Sequence, residues 1–310
     1  QEIGNDDFET VKANARALWN AELNKVQVEG GTEEEKIIFY SCLYRGLCFP
    51  KTMWEEVDGV ATYRSPYDLK LYKGKTWGGN GIWDTFRSVW PFFTIIYPEF
   101  TGEMLDGWVN SYKEGGWTVK WSGPGYRDSM IGTHTDSLFA DAYIKGIRNF
   151  DVETAYAASV KNATVPGKGA KGREGLESYL NLGYVAADQT KYSAARTLEF
   201  SYSDFCVARL AQALGKTGDY ERFLLQSMNY QNIFSPSVGF FRGKNADGSW
   251  RTADKDFDPH EWGYEWIEGC AWHYIVTPMH DVEGVAKLYG GRKGLEKKLD
   301  GLFNASPDFN

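Results

Sequence analysis

Residues 263–274, GYEWIEGCAWHY, set two carboxylates, Glu265 and Glu268, among four large aromatic side chains, Tyr264, Trp266, Trp272 and Tyr274. A carboxylic acid walled by indole and phenol rings loses hydration, which disfavours its charged form and raises its pKa. That is the property of a general acid working near neutral pH. On a helix Glu268 shares a face with Trp272 four residues on, and the same rings offer flat apolar platforms to the face of a sugar. If the segment instead opens a helix, the positive end of the dipole lowers the pKa. A buried aromatic layer holding one satisfied glutamate is the competing reading of the same residues.

Two further groups carry possible chemistry. The turn Gly78-Gly79-Asn80-Gly81 delivers Ile82-Trp83-Asp84-Thr85-Phe86-Arg87. Asp84 and Arg87, three apart, can point into one cleft and pair there. A guanidinium fork donates to adjacent sugar hydroxyls while the carboxylate accepts; the alternative is a salt bridge tying loop to helix. Thr133-His134-Thr135-Asp136 stands where a loop enters a helix. Either His134 and Asp136 line a site, or Asp136 is simply the N-cap.

These groups need scaffolding, and the chain reads as helices. Helices are expected over 6–28, stopped by Gly30-Gly31, and from Thr32, whose capping partner is Glu35, to before Pro50. A short hairpin or loop over 60–71 follows. Helical stretches come next at 88–97, broken by Pro98, and at 100–112, 137–147 and 152–163. Residues 165–174 form an exposed Gly/Lys loop, and 176–187 are mixed. The clearest helix spans 194–214, with the acidic Glu199 and Asp204 among its aromatic residues; its partner spans 220–229. Short helices at 281–289 and 293–303 close the chain. The loops at 115–132, with Trp117, Trp121 and Tyr126, and at 231–258 are rich in glycine and long enough to be functional. The expected fold is all-α, a toroid of about ten or eleven helices in antiparallel hairpins with long loops gathered at one end.

Bulk properties exclude several classes. The chain has 310 residues, 42% of them hydrophobic, which allows a large core. Aromatic residues reach 16%, with 12 Trp and 19 Tyr, and such polar-tipped rings suit a cleft for a polar, ring-shaped ligand. A net charge of −8 argues against nucleic acid as a partner. No run approaches the roughly 20 apolar residues of a membrane span. No signal peptide is visible at Gln1, so the chain is read as mature or excised. Four cysteines are too few for a disulfide scaffold. Cys42 and Cys48 are near enough to pair, but free buried thiols are expected. Asn162 and Asn304 head glycosylation sequons, which matter only in a secreted eukaryotic chain.

Taken together and in order, GIWDTFR (81–87), GTHTDSLFADAYIKGI (132–147), RTLEFSYSDFCVARLAQALGK (196–216) and GYEWIEGCAWHY (263–274) resemble the exo-α-mannosidases of glycoside hydrolase family 92. The resemblance runs through nearly the whole chain. It implies an (α/α)6 toroid, calcium dependence and hydrolysis of terminal α-linked mannose with inversion, in a secreted or periplasmic enzyme acting on mannose-containing glycans. The family's general acid, the glutamate of an E-G-x-A-W motif, falls on Glu268. Trp83, Asp84, Arg87 and Asp136 would line the mannose pocket, with His134 and Trp272 beside them. Residues 1–310 then correspond to most of one catalytic domain. The family's N-terminal β-sandwich has no counterpart here, and its catalytic base and the stretch near its calcium lie beyond Asn310. Calcium wants six or more oxygens, and the alternating Asp254, Asp256 and Asp258 read as a solvated loop, so its ligands are expected mostly outside this chain. A trehalase-like toroidal glycosidase and a non-catalytic carbohydrate-binding protein are the competing functions.

Overall fold

The computed structural model describes residues 3–308, and helices dominate them: there are twelve α-helices, with only short strands between. The chain divides into two compact units, one up to Lys51 and one from Thr52 onward.

The first unit holds α1 (Phe8–Leu23) and α2 (Glu33–Leu47). Side chains satisfy backbone donors at the start of each, which would otherwise go unpaired. Asp7 accepts from the Thr10 amide at 2.8 Å. Thr32 and Glu35 form the expected reciprocal box, with the Thr32 amide 2.7 Å from Glu35 Oε2 and the Glu35 amide 3.2 Å from Thr32 Oγ1. α1 stops short of the expected Val28, because Asn24 already caps it. All four cysteines are free, but only Cys206 and Cys270 are buried; Cys42 is exposed, against expectation.

The second unit opens with an antiparallel sheet, β1 (Glu55–Val57), β2 (Val60–Arg64) and β3 (Leu71–Lys73), where a hairpin or loop was expected. Val57 pairs with Val60 across Asp58-Gly59, both at positive φ, the two-residue turn that suits the strand twist. Then follow α3 (Ile82–Thr85), α4 (Val89–Ile96) and α5 (Pro98–Gly115). Pro98 starts α5 instead of breaking a helix, since the first helical position needs no N–H. The remaining helices are α6 (Thr135–Ile144), α7 (Val152–Thr164), α8 (Leu176–Leu182), α9 (Ser193–Ala213), α10 (Thr217–Gln226), α11 (Val282–Leu288) and α12 (Arg292–Phe303).

α9 is the spine. Sixteen of its 21 residues are buried, and α6, α7 and α10 pack around it. Buried charge is costly unless paired, and each buried charge of α9 has a partner. Arg196 bonds Glu174 at 2.8 Å, Glu199 meets His134, and Asp204 takes Arg173 at 2.5 Å. Arg173 also reaches Asp136, on α6, at 3.3 Å and Thr133 at 3.0 Å. The loop at 165–174, read as exposed, therefore ends on a guanidinium that has no exposure at all. Asn162 is buried too, its amide donating to Asp136 at 2.9 Å and Thr118 at 2.8 Å, so that sequon is structural.

Candidate active site

The aromatic segment is not a helix. It is an irregular loop that ends in one 3-10 turn, Ala271–Tyr274. The Gly263 amide donates to the Gly269 carbonyl at 3.1 Å, which closes the loop on itself. Glu268 and Trp272 consequently do not share a helix face, and no helix dipole acts on Glu268.

Burial separates the two glutamates. Glu265 is 4% exposed and accepts from the Gly243 amide and Arg251 Nε, each at 2.5 Å. It is the satisfied, structural carboxylate. Glu268 is exposed and lines a cavity of about 860 Å³. Trp262, Tyr264, Trp266 and Ile267 flank it on the loop side; residues 128–131, Glu174, residues 189–192 and Arg196 make the rest of the lining. Trp262 and Tyr264 are 44% and 68% exposed, which leaves large ring faces at the cleft.

Strain collects at this cavity. Among the described residues six non-glycine residues have positive φ, and four of them, Met130, Tyr192, Tyr264 and Glu268, line it. The left-handed region costs a residue with a side chain roughly 1–2 kcal/mol, and such strain persists where the surroundings over-determine it, typically at functional sites. The surroundings here are visible: the Tyr192 amide donates to the Tyr264 carbonyl at 2.8 Å, and the Ala195 amide to the Glu265 carbonyl at 3.1 Å. The start of α9 thus holds the loop in its shape.

The other expected residues lie at different depths. Trp83 is half-buried and donates its indole N–H to Glu199 Oε1 at 3.1 Å. Asp84 and Arg87 are exposed and do not pair with each other. Arg87 instead donates to the Trp83 carbonyl at 3.0 Å and lies over the Trp83 ring at 4.7 Å. His134 is buried, parallel to Phe86 at 3.9 Å, with its Nε2 against the Glu199 carboxylate. It, and not Asp136, is the N-cap residue of α6. Asp136 is fully buried, with Thr133, Asn162 and Arg173 on its oxygens, so it holds structure and does not reach the cleft. Trp272 is packed edge-on against Phe240 at 4.8 Å with Lys298 at 4.4 Å from its ring, and it does not line the cavity of Glu268. Trp117, Trp121 and Tyr126 do not line it either; the Tyr126 hydroxyl ties the Ser111 and Trp117 carbonyls at 2.7 and 2.8 Å. Tyr274 joins the two sides of the site. Burial pushes its phenol up, and it feels Glu199 and Glu268, which raise it further, and Arg87, which opposes them.

Glu174, Arg196, Tyr192 and Glu199 were not assigned to the site from sequence. Glu199 was noticed as an acid among aromatics, and Arg196 opens the string 196–216 without a role being read from it; Glu174 and Tyr192 gave no motif. Among the described residues no group of three or more His, Cys, Asp and Glu could hold a metal ion.

An exposed carboxylate among aromatic rings on a helical scaffold is compatible with sugar chemistry, and comparison sets the chain among the glycoside hydrolases. Residues 1–310 match the catalytic domain of glycosyl hydrolase family 92, and the chain belongs to that family. An inverting mannosidase of the family from Bacteroides thetaiotaomicron superposes with a TM-score of 0.94 at 39% identity, covering 100% of this chain and 42% of its own. An α-mannosidase of the family from the same organism, in complex with mannoimidazole, gives 0.89 at 28% identity over 100% of this chain and 41% of that one. A protein of Arthroderma benhamiae described as an uncharacterized secreted glycosidase is 29% identical over 97% of this chain and 39% of its own length. The chain thus spans about two fifths of the relatives it matches.

Proposed function

We propose that this chain is the acid-bearing part of an inverting exo-α-mannosidase that removes terminal α-linked mannose from glycans. The observation that carries the reading is the placement of Glu268: of the two glutamates in the aromatic segment, it alone is exposed, and it faces a cavity where the chain's backbone strain is concentrated. The names of the similar mannosidases, one of them bound to mannoimidazole, support mannose as the sugar.

In this mechanism the mannose ring lies on the side of Trp83, Asp84 and Arg87, with Glu199 accepting from the Trp83 indole and His134 beside Glu199. Glu268 gives its proton to the glycosidic oxygen as the bond from that oxygen to the anomeric carbon breaks. Water attacks the anomeric carbon from the opposite face, and a second carboxylate about 6.5–9.5 Å from the first takes the water's proton. The family resemblance assigns that base to sequence outside residues 1–310, together with the β-sandwich domain. The hairpins α4–α5, α6–α7, α9–α10 and α11–α12 support the (α/α)6 toroid, of which this chain supplies most.

The resemblance also brings calcium. The ion takes six or more oxygen ligands, and the described residues offer no cluster for it. The residues present do not fit the ion, and no step here runs through it. Among the described residues no helix is long and apolar enough to cross a membrane, and the description of the Arthroderma protein as secreted favours an extracellular or periplasmic place.

Glu268→Gln tests the assignment. The variant is expected to bind substrate and lose most turnover on substrates with poor leaving groups, where protonation matters most. Unchanged turnover on those substrates sinks it.

A further inference from the structure

The cavity of Glu268 does not contain the residues proposed to hold mannose. Trp83, Asp84 and Arg87 are absent from its lining, while the Tyr274 phenol feels Arg87 and Glu199 as well as Glu268, so it links the two regions. An acid that protonates a glycosidic oxygen touches the atom that joins the departing group to the reacting ring. With the reacting ring on the Trp83 side, the departing group enters the cavity.

The same lining that holds Glu268 also holds a built polar pair. Arg196 leaves α9 with only 9% of its side chain exposed, and it donates to Glu174 Oε2 at 2.8 Å and, through Nε, to the Lys191 carbonyl at 2.9 Å. Glu174 is 45% exposed. These bonds leave guanidinium N–H groups and a carboxylate oxygen unspent, a donor beside an acceptor. Neighbouring hydroxyls on a sugar present the complementary pair, and charged partners make the stronger hydrogen bonds to them. The loop under Glu174 is fixed on both sides. Arg173 is locked between Asp136 and Asp204, and Lys120 donates to the Gly169 carbonyl at 2.5 Å. Tyr264 supplies an exposed ring face on the same cavity.

We propose that the Glu174–Arg196 pair is the subsite for the leaving sugar of the glycan, clamping two of its hydroxyls in the cavity of Glu268. It is therefore a specificity determinant: it distinguishes a sugar leaving group from one without hydroxyls. The proposal rests on Glu268 being the acid of a mannosidase.

The test compares Glu174→Gln and Glu174→Ala with the parent enzyme on the four α-linked mannobioses and on 4-nitrophenyl α-mannoside. On the best mannobiose kcat/KM is expected to fall about tenfold or more, chiefly through KM, as expected for one lost charged hydrogen bond. The loss on the nitrophenyl substrate is expected to be at least fivefold smaller, because that aglycone has no hydroxyl to clamp. An equal loss on both substrates, or no loss on any mannobiose, overturns the proposal. Should the alanine variant fail to fold, the glutamine variant, which keeps the size of the side chain, decides. The parent reading fails separately, if the unaltered enzyme hydrolyses no α-mannoside or Glu268→Gln retains full turnover. The subsite is then judged by calorimetry with mannobiose, and equal affinity of the parent and Glu174→Gln proteins overturns it.

Discussion

Replacing Arg173 by Met probes what holds the wall of the cleft. Arg173 has no exposed side-chain surface, and its NH1 and NH2 lie 2.5 Å from Asp204 and 3.3 Å from Asp136. Methionine keeps the apolar stem and removes the charge, which leaves two buried carboxylates without their cation. Breaking a buried pair this way costs about 3–5 kcal/mol. For a chain of 310 residues an unfolding entropy of roughly 2.1 cal/mol/K per residue gives about 0.65 kcal/mol/K, so Tm should drop by about 5–8 °C. The loss has a sign with pH. Burial already raises both Asp136 and Asp204 above the ordinary carboxylate range, against the lowering effect of Arg173. Without Arg173 both rise further. An acid raised in the folded state binds its proton more tightly there than in the unfolded chain, so stability falls as pH rises through the folded pKa and recovers as pH falls. Thermal melts of both proteins between about pH 5 and pH 8 should show a deficit that is largest at the alkaline end and shrinks toward the acid end. A drop below about 2 °C near neutral pH, or a deficit constant across the range, refutes the reasoning.

Two further outcomes follow from contacts beside the site. Glu199→Ala removes the acceptor of the Trp83 indole and the partner of His134; kcat/KM on α-mannosides should fall roughly tenfold, while Glu199→Gln, which still accepts from Trp83, should recover part of it, and an alanine variant with full activity contradicts the positioning role. Burial lowers the Lys298 ammonium to about 8, and it stands 3.0 Å from the Phe240 ring centroid and 4.4 Å from that of Trp272. Its folded pKa lies below its ordinary value, so the cation over these rings is lost as pH rises through about 8. Tryptophan emission should step there in the parent and not in Lys298→Met; a step that survives the substitution assigns it to another group.

Helix positions were legible because they depend on local sequence. The Thr32–Glu35 box, the ends of α7 and the run of α9 follow from capping residues and apolar spacing. Pro98 misled because the same residue breaks a helix from inside and starts one from its first position. The site was legible only where a motif marked it. Glu268, Trp83 and Arg196 stand in recognisable strings, whereas Glu174 does not, and its pairing with Arg196, 22 residues on, forms only through the fold. Asp136 and Trp272 stand in equally recognisable strings, yet tertiary packing carries both away from the cleft.

What separates the roles is burial, and α9 distributes it. Arg196, Glu199 and Asp204 leave one helix on successive turns, and each ends on a different part of the site. Arg196 reaches the wall with Glu174, Glu199 the base of Trp83, and Asp204 the Arg173 anchor behind the wall. Leu198, Tyr202, Phe205 and Arg209 mark one face of this helix, but burial runs nearly all round it, so periodicity identified it as a helix without showing which charges it turns inward. A rotation of about 100° per residue would carry all three charges off their partners at once. The proposed mannose side and the proposed leaving-group side both lean on this element, and a substitution that loosens the packing of α9 should degrade stability and leaving-group preference together, while one on the exposed loop carrying Tyr264 should change preference alone.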